Sequence, residues 1–408
     1  MLSDLDSAPA VMGAEWEAVG KGSLRILMVA ARCYPFMGGI ETHIHEVGRR
    51  MAAKGHTVRV LTTDPGGKLP PREVVHGVEV IRVRAWPAER DYYLAPGVWR
   101  EVASEQWDVL HIQGYHTLVP PIAMAAALSF NVPFVLTFHS GGHSLAHRNS
   151  FRSTQRQLLR PLVRRAQRLI GVSEYEAELF REAMRIPPER FVVVPNGAEL
   201  PAPSATAETS LDKASPLVLT IGRLERYKGH QRVIEALPGI LACIPGARLR
   251  VLGEGPYKGE LIALVERLGL TGKVEVGGIP VGNRQAMADL MIKASVVALI
   301  SDYEAHPVAV LEALALGRPV IATDSSGFQE MARNGLIETV PLDADAGQIT
   351  DTILAMIENP PERKAISLPN WDDCTSQLLS IYRDVAAKTA MTARRTLSPR
   401  QSVFARSR

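Results

Sequence analysis

The sequence predicts an α/β protein built from two doubly wound parallel sheets that face each other across a cleft. Three observations predict it. Apolar, strand-like runs alternate with helix-like segments along most of the chain, which is the pattern of parallel βαβ units. The pattern restarts halfway, after PAPSATAETSLDKASP, a stretch without periodicity that reads as a linker. At 408 residues the chain also exceeds what one ordinary core holds.

The segments divide as follows. Residues 1–22 read as an N-terminal tail, acidic at its start and lacking the charged and apolar regions of a signal peptide. Residues 23–198 form the first unit. SLRILMVAARC is a buried strand by its continuous apolar run, Gly38-Gly39 break the chain, Glu41 to Ala53 is a helix stopped by Gly55, and HTVRVLTT is the next strand. GVEVIRVRA, WDVLHIQG, VPFVLTFHSG, RLIGVSE and RFVVVPNG supply further strands. Residues 199–215 are the linker, and 216–368 the second unit, with strands in LVLTI, ARLRVLGEGP, KVEVGGIP, SVVALIS and RPVIATD. Residues 369–390 read as an amphipathic helix. Residues 391–408, with five arginines and no acid, read as a disordered basic tail.

Composition excludes several classes. A net charge of +3 is too small to argue for nucleic-acid binding by itself, and no nucleic-acid partner is expected. Cys33, Cys243 and Cys374 lie far apart, with no C-x-x-C spacing, so neither zinc nor a disulfide framework is expected and a reducing, cytoplasmic setting fits. No 18-residue uncharged apolar run is present to span a membrane.

In open parallel sheets, ligands bind beyond the carboxyl ends of the strands, and the chemistry-bearing residues lie there. GRLERYKG follows strand LVLTI and brings Gly222, Arg223 and Lys228 to its end; a guanidinium fork and a mobile ammonium suit a diphosphate. Gly38-Gly39 follow the first strand and let backbone N–H groups approach a phosphate, but the pattern is not that of a dinucleotide site. EAHPVAVLE follows SVVALIS. Pro307 suits the first helical position, and Gly317 the residue just past the helix end. Glu304 then lies in the loop, able to accept hydrogen bonds from sugar hydroxyls. Glu312 lies in the helix, able to accept from ribose, while the N–H groups from Val308 to Leu311 favour an anion. His139 ends a strand and suits a partner for the substrate or reaction centre; the alternative is a structural histidine. His306 either lines the pocket or caps the loop. Ser173 reads as a helix cap with Glu176 completing a capping box, and Asn196-Gly197 as a strand-end site or a turn. Arg148, Arg152, Arg156 and Arg160 recur every fourth residue, a series that continues to Arg164 and Arg168. They form either a solvated stripe or a contact for an anionic acceptor or membrane surface.

Together these residues resemble the retaining glycosyltransferases of family 4, which have the GT-B fold. The resemblance covers roughly residues 24–388. It rests on the order of GGIE, TFHSG, VSEY, VPNG, GRLERYKG, GEGP and EAHPVAVLEALALGRPVIA, and on the closing helix after Trp371. It implies a hexose-type transfer from a UDP- or GDP-sugar to a hydroxyl acceptor, such as an envelope polysaccharide, glycolipid or small glycoside. No metal or other cofactor is implied. Gly38 and Gly39 would approach the diphosphate, Arg223 and Lys228 would clamp it, and His139 would lie near the reacting carbon. Glu254 and the Ile279 backbone would lie near the base, Glu304 at the sugar and Glu312 at the ribose. The helix after Trp371 would cross back to the first unit. One departure stands out: Ala305-His306-Pro307 replaces the family's Gly or Ser, aromatic, Gly. Competing readings are a glycosidase using the two glutamates, a pseudo-glycosyltransferase that only binds a partner, and an epimerase. The setting expected is cytoplasmic, with peripheral contact at the membrane's inner face.

Overall fold

A computed structural model describes residues 22–36, 38–87, 94–140, 146–205, 212–280, 282–361 and 367–397. The first unit holds β1 (Arg25–Val29), β2 (Thr57–Asp64), β3 (Arg72–Val75), β4 (Val78–Arg84), β5 (Val109–Gln113), β6 (Phe134–Thr137), β7 (Arg168–Gly171) and β8 (Phe191–Val193). They form one sheet in the order β3-β4-β2-β1-β5-β6-β7-β8, parallel except for the antiparallel pair β3 and β4. The second unit holds β9 (Leu217–Ile221), β10 (Arg248–Leu252), β11 (Val274–Gly277), β12 (Ala294–Leu299), β13 (Val320–Thr323) and β14 (Glu338–Val340). Its sheet runs β11-β10-β9-β12-β13-β14, all parallel.

The continuous apolar strands have a simple cause: both faces of each sheet are covered. Leu27 and Val29 of β1 face one core, while Ile26 and Met28 face the other. Val218 and Leu219 divide in the same way in β9. The short edge strands β3 and β14 were not foreseen. REVV and ETV each have three or four residues and little apolar signal, so pairing with a neighbour defines them rather than pattern.

The closing helix is Trp371–Leu397. Its Trp371, Cys374, Leu378, Leu379, Tyr382 and Val385 pack with Ile26, Met28, Val58 and Val109 of the first sheet, so it belongs to that sheet's core. Losing the fully buried Trp371 side chain would cost about 3–5 kcal/mol. The helix overruns the expected boundary at 390. Met391–Leu397 contain no Gly or Pro, and Thr392 bonds back to Lys388 O at 3.0 Å, so nothing stops the helix before Ser398-Pro399. Residues 398–408 lie outside the described residues. Where the chain returns, Ala198 N–H donates to Pro369 O at 2.9 Å. Gly197 is required beside this contact, because a Cβ there would lie 2.3 Å from Trp371 N.

Three interior histidines are held neutral. Burial pushes His43 and His230 down to about 4, and His111 well below its ordinary value. The Nδ1 of His230 pairs with Thr220 Oγ1 at 3.0 Å, and its Nε2–H donates to Arg223 O at 3.1 Å. Only the unfolded chain takes up these protons below pH 6.5. The stability each neutral ring contributes is therefore complete above that pH and is lost as pH falls toward 4. Replacing His230 with Gln should flatten the pH dependence of urea unfolding over that window, by at most about 1.4 kcal/mol per pH unit. An unchanged slope would show that His230 titrates alike in both states.

Candidate active site

Each sheet has one place where successive connections leave in opposite directions, and a crevice opens there. In the first sheet it lies between β1 and β5. In the second it lies between β9 and β12. The loops after β1, β6, β9 and β12 carry Gly38-Gly39, His139, Gly222–Lys228 and Glu304.

The second sheet's half of the site is built around an ion pair. Lys228 Nζ is bonded to Glu304 Oε1, with both side chains largely buried. The pair forms because of Gly229, at φ +71. A Cβ at Gly229 would lie 1.8 Å from Ile300 O, so only glycine lets the turn Arg226–Lys228 press against the end of β12. Ser301 Oγ donates to Glu304 Oε1 at 3.2 Å, and Glu304 N–H donates to Ser326 Oγ at 2.9 Å. Burial disfavours the Lys228 ammonium, but the Glu304 carboxylate beside it outweighs this and the net shift is upward. Arg223 is half exposed beside the pair and bonds Glu225 at 2.9 Å. Glu41, in the first turn of the helix Gly39–Ala53, faces Arg223. Burial raises the Glu41 pKa, and Arg223 and Arg32 oppose the rise.

The helix after Glu304 is Val308–Ala315. Pro307 is not its first residue but the one before, in extended conformation at ψ 117. Its carbonyl takes the N–H groups of Val310 at 3.1 Å and Leu311 at 3.4 Å. The donors expected from Val308 to Leu311 thus reduce, among the described residues, to those of Val308 and Ala309. Gly317, at φ +63, ends the helix as expected. Glu312 is buried and paired with Arg284, which also donates to Glu199 O at 2.9 Å. Burial raises the Glu312 pKa, and Arg284 opposes it.

Asn196 joins the two halves. Its Nδ2 donates to His306 O at 3.1 Å, and its Oδ1 accepts from His43 Nδ1 at 2.9 Å. These two bonds use one of its two N–H donors and one of its two lone pairs, so Asn196 ties the halves together and keeps a second donor and a second acceptor site. Burial holds the His306 ring near a pKa of about 4, and its Nδ1 has no hydrogen-bond partner among the described residues.

His139, buried and at φ +46, lies at the end of β6. Its Nε2 bonds Gln113 Oε1 at 2.6 Å, and its ring meets that of His43 edge-on, with centroids 4.8 Å apart. Next to it, Ser140 Oγ bonds Tyr303 OH at 2.7 Å, across the cleft. Glu176 does not complete a capping box. Ser173 Oγ does accept from Glu176 N–H at 3.2 Å, but the Glu176 carboxylate turns inward, to Ser140 Oγ at 2.6 Å and Val172 N–H at 2.9 Å. Burial raises its pKa against these bonds.

Other expected residues lie apart from this cluster. Glu254 is exposed, pairs with Lys258 at 3.0 Å and accepts from Gly278 N–H at 3.1 Å, next to Ile279. The arginine series does not run along one helix: the helix Ala146–Val163 ends before Arg164, and Arg168 opens β7. Arg156 and Arg160 are half-buried rather than solvated, and the Arg148 and Arg152 side chains lie outside the described residues. Sequence reasoning gave no site role to Glu41, His43, Gln113, Tyr303 or Arg284. Glu41 ends the quoted GGIE and Tyr303 adjoins EAHPVAVLE, so both were within reach; the other three had no local signal.

Residues 37–200 match the model of Glycosyltransferase Family 4, and residues 203–368 that of Glycosyl transferases group 1. The chain is 25% identical over 380 residues to the phosphatidyl-myo-inositol mannosyltransferase of Mycobacterium leprae, covering 89% of this chain and 97% of the relative. It is 27% identical over 397 residues to the D-inositol 3-phosphate glycosyltransferase of Nocardiopsis dassonvillei, covering 87% and 91%. Its fold resembles sucrose-phosphate synthase from Thermosynechococcus elongatus, with a TM-score of 0.67, 21% identity and coverage of 91% and 98%. Anabaena HepE, solved with UDP and glucose, gives 0.66, 20% identity and coverage of 92% and 100%. The architecture is GT-B. The two glycosyltransferase models thus match residues 37–368 in one nearly continuous run, and the chain belongs to the family 4 glycosyltransferases.

Proposed function

We propose that the protein is a retaining, nucleotide-sugar-dependent hexosyltransferase acting on a hydroxyl acceptor. The observation that carries this reading is the Lys228–Glu304 pair with the Arg223 guanidinium beside it, at the crevice of the second sheet. Glu304 holds hydroxyls of the donor sugar. Lys228 and Arg223 hold the diphosphate and take up its charge as it leaves, so the reaction draws on no metal. Glu312 holds the ribose, with the Val308 and Ala309 N–H groups and Gly38-Gly39 near the phosphates. The acceptor hydroxyl attacks the anomeric carbon on the face the diphosphate leaves. A carbon–oxygen bond to the acceptor forms, the bond to phosphate breaks, and the hydroxyl proton passes to the departing phosphate oxygen.

UDP-sugars are the first donors to try, since HepE is known with UDP-glucose; GDP-sugars come next. The relatives named for phosphatidyl-myo-inositol and inositol 3-phosphate support a phosphorylated polyol as acceptor. The basic helix Ala146–Val163 would meet its charge or that of an anionic membrane surface. Among the described residues no helix is long and apolar enough to cross a membrane. A hydrolase using the two glutamates is disfavoured, because each already pairs with its own cation.

A thermal-shift and turnover panel of UDP-, GDP- and ADP-sugars tests the donor, and the anomeric configuration of the product tests retention. Arg223→Ala, Lys228→Ala and Glu304→Ala should each lower transfer by about a hundredfold or more. Full activity in all three would sink the assignment. Lys228→Ala and Glu304→Ala should also lose up to about 3 kcal/mol of stability, because each strands a buried charge. The double variant should regain stability but not activity. Glu312→Ala should erase any preference for ribose over 2′-deoxyribose in the donor nucleotide; a preserved preference would place the ribose elsewhere.

A further inference from the structure

The ring of His139 is the end of a buried chain of polar groups that begins on the closing helix. Tyr382 OH is bonded to His111 Nδ1. Gln113 Nε2 lies 3.1 Å from the same Nδ1, Gln113 Oε1 lies 2.6 Å from His139 Nε2, and His111 Nε2 lies 2.7 Å from Thr137 Oγ1. Tyr382, His111 and Gln113 are buried and out of contact with solvent.

The direction of this chain is set at Tyr382. A phenol is the better proton donor and an imidazole nitrogen the better acceptor, so the Tyr382 hydroxyl donates to His111 Nδ1. His111 therefore carries its proton on Nε2, where it faces Thr137. Gln113 must turn its NH₂ toward the same unprotonated Nδ1 of His111, whose lone pair it shares with the Tyr382 hydroxyl, and this turns its oxygen toward His139. An amide oxygen only accepts, so His139 must carry its proton on Nε2. Nδ1 of His139 is left as a bare acceptor, without a hydrogen-bond partner among the described residues.

We propose that Gln113 is a positioning residue that locks His139 as the Nε2–H tautomer, so that Nδ1 accepts a hydrogen bond from a sugar hydroxyl in the cleft. The assignment of that hydroxyl rests on the transferase reading above; the tautomer does not. The groups facing His139 are consistent with a neutral ring. They are His43 from the helix Gly39–Ala53, His111 from β5, His116 from the loop after β5, and Glu176 from the helix Glu174–Met184, whose carboxylate is turned to backbone and Ser140. Burial, with the neighbouring histidines, drives the His139 pKa well down.

The test is nitrogen-15 spectroscopy of the full chain labelled at histidine, with the His139 signals identified by their loss in His139→Gln. The expected result is a proton on Nε2 and a bare Nδ1, unchanged from pH 8 to 5. Gln113→Leu should mix the two tautomers and lower kcat about tenfold or more, with little change in donor KM. Gln113→Glu keeps an acceptor for the Nε2 proton but adds a charge that raises the His139 pKa. Its kcat should therefore be low near neutral pH and recover as pH rises, which a merely structural role does not predict. Tyr382→Phe, which removes only the hydroxyl, provides a milder perturbation if Gln113→Leu folds poorly, and it should loosen the tautomers of both His111 and His139. A proton on Nδ1 of His139 in the unaltered protein would overturn the proposal. So would unchanged tautomers in both Gln113→Leu and Tyr382→Phe, or a shifted tautomer with unchanged kcat. If the spectra behave as expected but no nucleotide sugar is turned over, the relay stands and the transferase reading falls.

Discussion

A single ammonium–carboxylate contact organises the second sheet's half of the cleft. Lys228 and Glu304 come from loops after different strands, β9 and β12, and each would be costly to bury alone. Paired, they pin the two loops together, and Ser301 and Ser326 fix the carboxylate loop from either side. Arg223 remains half exposed beside them because its neighbour Glu225 meets only part of its charge. The result is a pocket that already contains its counter-charges before any anion arrives. Preorganisation of that kind is where much of the stabilisation of a developing charge comes from.

The other half carries a group of uncharged rings. His43, His111 and His139 are all buried and all shifted toward the uncharged form. The Lys228–Glu304 pair lies on the second sheet's side, while the first contributes these rings together with the carboxyl groups of Glu41 and Glu176. Asn196 and the Ser140–Tyr303 contact join the two.

Much of this was legible in the sequence, for identifiable reasons. Strand ends followed by glycine mark the loops of Arg223, Lys228 and His139, and the Pro307 that precedes a helix marks the loop of Glu304. What stayed hidden was of two kinds. Gln113 and His43 act through partners far away in sequence, and a buried glutamine in VLHIQ looks like any strand residue. Glu176 looked local because its position three residues after Ser173 has a local explanation, and only the structure shows its carboxylate turned the other way. Pro307 was misplaced by one position for a related reason. Its ring fits either the first turn of a helix or the extended residue before it, and the loop's tie to Ser326 decides between them.

The contact between Ala198 and Pro369 has a mechanical consequence. The chain passes between the two sheets twice, outward after Ala198 and back before Trp371, and a hydrogen bond ties the two passages side by side. Two bodies joined by one strand can twist and swing about every axis. Joined by two straps fastened together along one edge, they swing mainly about that edge, as a book does about its spine. Gly197, with no room for a side chain against Trp371, keeps the binding of that spine tight. A swing of one sheet against the other would therefore turn about that edge. Along that swing Tyr303 meets Ser140, and the loops after β9 and β12 meet those after β1 and β6.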